Sequence, residues 1–274
     1  MTRIALLQMT SGIDPAANAA VLADAVSAAK AGGAAMLFTP EMSGLLDRDR
    51  TRAADSIVSE SQDPSLAAVR EAAAKEGLWV ALGSLALQRD DGRWVNRSLV
   101  VDAGGTVAAR YDKIHMFDVS LASGESWRES AAYAPGEEVV TVETPVGLLG
   151  LTICYDVRFP ALFEELGRRS CDVIAIPAAF TVPTGAAHWH LLQRARAVEA
   201  SAWAVAAAQV GEHADGRRTY GHSVVVDPWG EVVLDMGGDA PGLAFAEIDH
   251  ARTAEVRQQL PSLANRRPIP RFDP

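Results

Sequence analysis

Residues 4–40 read IALLQMTSGIDPAANAAVLADAVSAAKAGGAAMLFTP. Ile4 to Gln8 is an apolar run of strand length. Asp14 has the short acceptor side chain that caps a helix, and Pro15 suits the first helical position. An Ala-rich helix is therefore expected from Pro15 to Lys30, closed by Gly32 and Gly33. Ala34 to Phe38 is a second strand, ending at Pro40. The pattern then repeats. Asp63 caps a helix over Pro64 to Lys75, Gly77 stops it, and Leu78 to Gly83 follows as a third strand. Strands alternating with helices of this length imply a mostly parallel sheet with helices on its face.

Downstream, Trp94 to Asp112 reads as a hairpin turning at Gly104-Gly105. A polar loop is expected to about Pro135, then a second hairpin of Val139 to Val142 with Leu148 to Ile153. A helix near Ala161 to Arg168, a strand Val173 to Ile176, a helix near Ala187 to Ala200 and a strand Trp203 to Ala207 come next. Ser223 to Asp227, Val232 to Leu234 and Leu243 to Ile248 are the last strands. A helix over Ala251 to Gln259 precedes a Pro- and Arg-rich tail. No repeat or linker interrupts the chain, so residues 1–274 are expected to form one domain. So many strands are buried economically as two sheets packed face to face with helices outside: an α/β, four-layer α-β-β-α sandwich.

The chain has 274 residues, 49% of them hydrophobic, and a formal charge of −10. That composition excludes disorder over most of its length. The acidic balance argues against nucleic acid or an anionic membrane as partner. No run reaches the roughly 20 apolar residues of a membrane span, and no cleavable leader is visible, so a cytoplasmic location is expected. Two cysteines, Cys154 and Cys171, make neither a disulfide framework nor a four-ligand zinc site. The histidines are scattered or, at His188 and His190, two apart on a helix, so no metal is expected. The 25 basic residues include only three lysines, Lys30, Lys75 and Lys113.

Those short lists direct attention to particular residues. Cys154, in GLLGLTICYDVRFP (147–160), ends an apolar strand and precedes a polar turn and a helix. A nucleophile there lies at the carboxyl edge of a sheet, and the N–H of Tyr155 could share its space as half an oxyanion hole. Taken alone, Cys154 reads equally as a packing residue. Cys171, at the start of a strand, reads as a packing thiol. Lys30 and Lys75 sit in last helical turns, where a cation suits the dipole. Lys113 instead follows a strand, where a compact ammonium has a reason to replace the prevailing arginine. Glu41, in TPEMSG, also follows a strand. Glu129 lies in the polar loop, near Glu125. Each acid reads equally as a solvated loop residue. A Cys–His hydrolase with His188 or His222 as base has no local signature.

Glu41, Lys113 and Cys154, in that order at strand ends, resemble the triad of the nitrilase, or carbon–nitrogen hydrolase, superfamily. TPEMSG, YDKIHMFDV, RESAAYAPG, GLTICYDVRFP, AAHWHLLQRARAVEASAWAVAAAQVG and RTYGHSVVVDPWGEVV extend the resemblance over essentially the whole chain. The resemblance implies a thiol amidohydrolase. Glu41 would be general base, Cys154 nucleophile, Lys113 and the Tyr155 N–H the oxyanion donors, and Glu129 a second glutamate orienting Lys113. It implies no cofactor, a small-molecule amide substrate, and a homodimer or higher homo-oligomer. The HW…LLxRARAxE and YGHSxVVDPWG combination is similar to the branch that hydrolyses deaminated glutathione. An ω-amidase acting on 2-oxoglutaramate, an N-carbamoyl amino acid hydrolase and, remotely, a non-catalytic metabolite-binding scaffold are the alternatives. His190, where that branch often has Glu, and Met42 and Ser43 depart from the pattern and bear on specificity. Arg158 and Arg194 are candidates for a substrate carboxylate.

Overall fold

In the computed structural model, residues 1–120, 124 and 126–270 are described. The first half contributes β1 (Thr2–Gln8), α1 (Pro15–Ala31), β2 (Met36–Phe38), a one-turn α2 (Arg50–Ala54), α3 (Pro64–Glu76), β3 (Trp79–Gln88), β4 (Trp94–Val101) and β5 (Val107–Asp112). Two short strands, β6 (Asp118–Ser120) and β7 (Ser126–Arg128), form a ribbon. The second half runs β8 (Thr141–Thr144), β9 (Gly147–Leu151), α4 (Pro160–Arg168), β10 (Val173–Ala175), α5 (Val182–Ala200), β11 (Trp203–Ala206), β12 (Val210–Glu212), β13 (Arg218–Tyr220), β14 (Val224–Val226), β15 (Val232–Asp235), β16 (Gly242–Ile248) and α6 (His250–Gln259).

Two six-stranded sheets result, ordered β16-β1-β2-β3-β4-β5 and β15-β14-β11-β10-β9-β8. In the first, β1, β2 and β3 are parallel, and β4, β5 and β16 extend it antiparallel. In the second, β9, β10 and β11 are parallel. The two-residue side-chain period of a strand sorts the core into layers. Ile4, Leu6, Met36 and Phe38 join Leu149, Leu151, Val173 and Val205 in the cluster between and beneath the second sheet. Their neighbours Ala5, Leu7 and Leu37 face the other way, onto Leu22, Val26, Leu66 and Val69 of α1 and α3. The expected layered sandwich is what the chain forms.

The expected caps are present. Asp14 accepts from the amides of Ala16 and Ala17, and Asp63 accepts from that of Leu66. Gly77 adopts φ 64°, the left-handed conformation that ends a helix. Four features differ from the sequence reading. The polar loop to Pro135 contains the β6–β7 ribbon; Glu125 lies outside the described residues. The β12–β13 hairpin has no counterpart among the expected strands. β3 runs on to Gln88, and α5 begins at Val182, five residues before Ala187. Three-residue strands carry too little periodicity to read, and Val182-Pro183 opens α5 with a residue pair that reads as loop.

Candidate active site

β5 is antiparallel to β4, which is antiparallel to β3, so β2, β3 and β5 all point one way. Glu41, just after β2, and Lys113, just after β5, therefore emerge at the same edge of the first sheet. Cys154 follows β9, one of the parallel strands of the second. The packed sheets bring the three together.

Local sequence aims each group. The β9–β10 ladder extends past both strands to Cys154 N–H, which donates to the Pro177 carbonyl at 2.8 Å. Cys154 then takes φ 48°, a left-handed conformation uncommon outside glycine, and opens a 3-10 turn over Cys154–Arg158. Asp156, fully buried, holds that turn. Its carboxylate accepts from Ile153 N–H at 2.8 Å, Tyr111 Oη at 2.7 Å and His115 N–H at 3.1 Å, and pairs with His115 Nδ1 at 2.7 Å. Asp156 thus ties the cysteine turn to the Lys113 segment.

The Glu41 segment runs close against β3. A Cβ on Gly83 would stand 2.1 Å from the Thr39 carbonyl, so only glycine allows the approach. Met42, at φ 55°, donates its N–H to Ser84 Oγ at 2.9 Å, and Gln209 Nε2 donates to the Glu41 carbonyl at 2.9 Å.

Lys113 Nζ donates to Glu41 Oε1 at 2.9 Å and to Glu129 Oε2 and Oε1 at 2.9 and 3.1 Å. Asn96 Nδ2 bridges the same two carboxylates, 2.9 Å from Glu41 and 3.1 Å from Glu129. Ala179 N–H donates to Glu41 Oε2 at 3.0 Å and Phe117 N–H to Glu129 Oε2 at 2.6 Å. Lys113 and Glu41 are 2% and 5% exposed, so both charges are withdrawn from water and stand only as partners.

Burial pushes the Glu41 carboxyl up, but the Lys113 charge and hydrogen bonds from Cys154, Lys113 and Asn96 outweigh it and hold it below the usual carboxylate range. Burial opposes the Lys113 ammonium, yet Glu129, Glu41 and Cys154 hold it well above its ordinary value. Burial, then the Glu41 charge, pushes the Cys154 thiol well above its ordinary value, despite Lys113. The resting site thus sets a protonated thiol beside the Glu41 carboxylate and the Lys113 cation. A thiol held this way can pass its proton to Glu41 as it attacks.

The group opens into a cleft of about 140 Å³ walled by Leu45, Trp94, Phe117, Trp127, Tyr133 and Phe180. Glu41, Lys113, Glu129, Cys154 and Tyr155 all line it. Tyr155 is the second residue of the 3-10 turn, where amides lack an internal acceptor. Arg158 also lines the cleft, its guanidinium 5.3 Å over the Phe180 ring. Arg194 does not; its Nε is 2.7 Å from the Gly230 carbonyl. His188 meets Arg158 at 3.2 Å, and His222 pairs with Asp235 at 2.9 Å; neither lines the cleft, so neither is placed as the base for Cys154. His190 also pairs with Asp235, at 2.9 Å, so residues scattered in sequence form one surface cluster away from the cleft. Cys171 is buried beside Gly150, with burial and Asp172 pushing its thiol up to about 12. Asn96, Asp156 and Gln209 escaped the sequence reading. A lone Asn in the apolar strand WVNRSLVV was the one signal that could have found Asn96.

This fold and constellation have known counterparts. The carbon–nitrogen hydrolase family model matches residues 3–258, and the chain belongs to that family and is an enzyme of its class. It is 38% identical over 267 residues to a deaminated glutathione amidase of Yersinia enterocolitica, covering 96% of this chain and 92% of that one. Among solved structures it resembles the Caenorhabditis elegans NitFhit protein (TM-score 0.87, 35% identity), covering 97% of this chain and 65% of that one. It also resembles a Saccharomyces cerevisiae member of branch 10 of the nitrilase superfamily (TM-score 0.85, 27% identity, 95% and 94% covered).

Proposed function

We propose that this enzyme hydrolyses deaminated glutathione to 2-oxoglutarate and cysteinylglycine through a thioester on Cys154. The observation that carries the reading is the buried contact set in which Lys113 bridges Glu41 and Glu129 beside Cys154, in a chain so similar to the Yersinia amidase.

Glu41 takes the Cys154 proton as sulfur attacks the amide carbonyl carbon, and the carbonyl electron pair moves to oxygen. Lys113 Nζ and the Tyr155 N–H receive that oxyanion; Glu129 holds Lys113, and Asn96 ties the Glu129 and Glu41 carboxylates together. Glu41 then gives the proton to the amide nitrogen, the C–N bond breaks, and the amine leaves. Water enters, Glu41 takes its proton, hydroxide attacks the thioester, and the acid departs as the thiol is restored. Lysine suits this centre because one compact ammonium serves two carboxylates and the oxyanion together. Arg158 supplies a cation for the carboxylate of the 2-oxoacyl group.

The chain acts as one domain, its first strand pairing with β16 near its end. Leu191 and Val198, seven apart on α5 and 66% and 42% exposed, give an apolar face suited to a homo-oligomer. Two free cysteines suit the reducing cytoplasm.

The test is an amidase assay comparing deaminated glutathione with 2-oxoglutaramate. Higher kcat/KM on the former supports the proposal. Preference for the latter makes the enzyme an ω-amidase instead, and no turnover of either rejects both.

A further inference from the structure

The chain carries ten more negative than positive charges, yet the outer end of the cleft is lined by Arg48, Arg50, Arg128, Arg217 and Arg218. Two acids stand among them, and both are engaged. Asp47 pairs with Arg52 through two contacts of 2.6 and 2.7 Å. Asp215 accepts from the amides of Arg48 and Arg217, each at 2.9 Å.

Arg217 is the most firmly held of the five. Its guanidinium lies 4.5 Å over the Trp127 ring, and Nη2 is 3.2 Å from Asp215. Its Nε–H is buried and has no acceptor among the described residues. A buried donor on a charged group is costly to leave unpaired. Stacking and pairing fix the guanidinium in one orientation at the cleft wall, where its charge is set for an anion.

We propose that the arginine-lined outer cleft binds a second carboxylate on the leaving-group side of the scissile amide, and that Arg217 is the residue that reads it. The inference rests on the amidase reading above. Arg158 and Lys113 line the cleft but not its arginine-rich outer end, and would face the acyl group. A dipeptide leaving group puts its terminal carboxylate about 7 Å beyond the scissile carbonyl, in the direction of the cleft mouth. An amide that releases only ammonia has nothing to place there. Arg217 would then separate peptide-like amides from simple ones.

The experiment compares three substrates: deaminated glutathione, its glycine-amide counterpart lacking the terminal charge, and 2-oxoglutaramate. The unmodified enzyme should prefer the charged peptide to its glycine amide at least tenfold in kcat/KM. Arg217→Gln should erase that preference, and Arg217→Lys should restore part of it. Equal rates on the charged and amidated peptides overturn the inference while leaving the amidase reading intact. So does a proportional loss on all three substrates in Arg217→Gln, which would mark a merely structural arginine. No turnover of any substrate by the unmodified enzyme overturns both readings.

Discussion

Lys113 Nζ stands 2.9 Å from Glu41 Oε1, and each side chain is almost wholly out of water. Neither charge has bulk solvent to fall back on. Lys113→Met leaves Glu41 and Glu129 facing each other with Asn96 alone between them. Unfolding titrations should show a loss of about 3–5 kcal/mol, the usual result of orphaning a buried charge. Where the variant still folds, kcat should fall by at least 10²-fold, as for loss of one oxyanion donor. Full stability would show that the pair is not buried as described.

The pH behaviour follows from the same contacts. As the proposed base, Glu41 has to be ionised to accept the thiol proton, and its carboxyl is held below its ordinary value of 4.5. The acid limb of kcat/KM should therefore lie below pH 4.5. A limb between about pH 5 and 8 would point to a histidine base instead. The stability sign agrees. A depressed carboxyl adds stability present above its unfolded value and lost as pH falls through its folded value. The Tm gap between the wild type and Glu41→Gln should narrow on acidification below pH 4.5. Lys113, held high, adds stability that is lost only on the alkaline side of 10.5.

Asp156, two residues after Cys154, holds the turn that sets where the thiol points. Asp156→Ala would strand the Ile153 and His115 amides and the Tyr111 hydroxyl in the core. At about 1–3 kcal/mol for each orphaned donor, a loss of at least 3 kcal/mol is expected in denaturant titration. Asp156→Asn keeps the shape and should lower kcat more than it changes KM. An unchanged kcat in Asp156→Asn would remove Asp156 from the positioning of the nucleophile.

The two cysteines should differ under a small neutral alkylating agent. Cys171 is closed off, with its thiol pushed up to about 12. Cys154 lines the cleft beside a base. Intact mass should show one adduct on the native protein, protected by substrate, and two only after unfolding. Adduct formation at Cys171 in the native protein would contradict its packing.

The strand-end placement of three inner residues followed a local rule, but only the family resemblance joined them, with Glu129, into one site. Glu41 and Cys154 each follow an apolar run of strand length, Lys113 follows the mixed hairpin strand VAARYD, and strands that run the same way deliver such positions to one edge. The layered fold was legible for the same reason, since caps at Asp14 and Asp63 and stops at Gly33 and Gly77 punctuate the strands. The residues that complete the site were not. Asn96, Asp156 and Gln209 act across 55, 45 and 168 positions of chain, and no local pattern encodes such pairings. The outer cleft was hidden too. Trp127, Arg128, Arg217 and Arg218 sit on or beside three-residue strands in stretches whose polarity reads as loop.

The proposed chemistry is covalent: the acyl group passes through Cys154 under the control of Glu41. Acid-quenched intact mass spectrometry of enzyme mixed with deaminated glutathione measures it directly. A transient 2-oxoglutaryl adduct mapped to Cys154 is expected, with no adduct in Glu41→Gln and neither adduct nor turnover in Cys154→Ala. Full turnover by Cys154→Ala, or a normal acylation burst in Glu41→Gln, would contradict it.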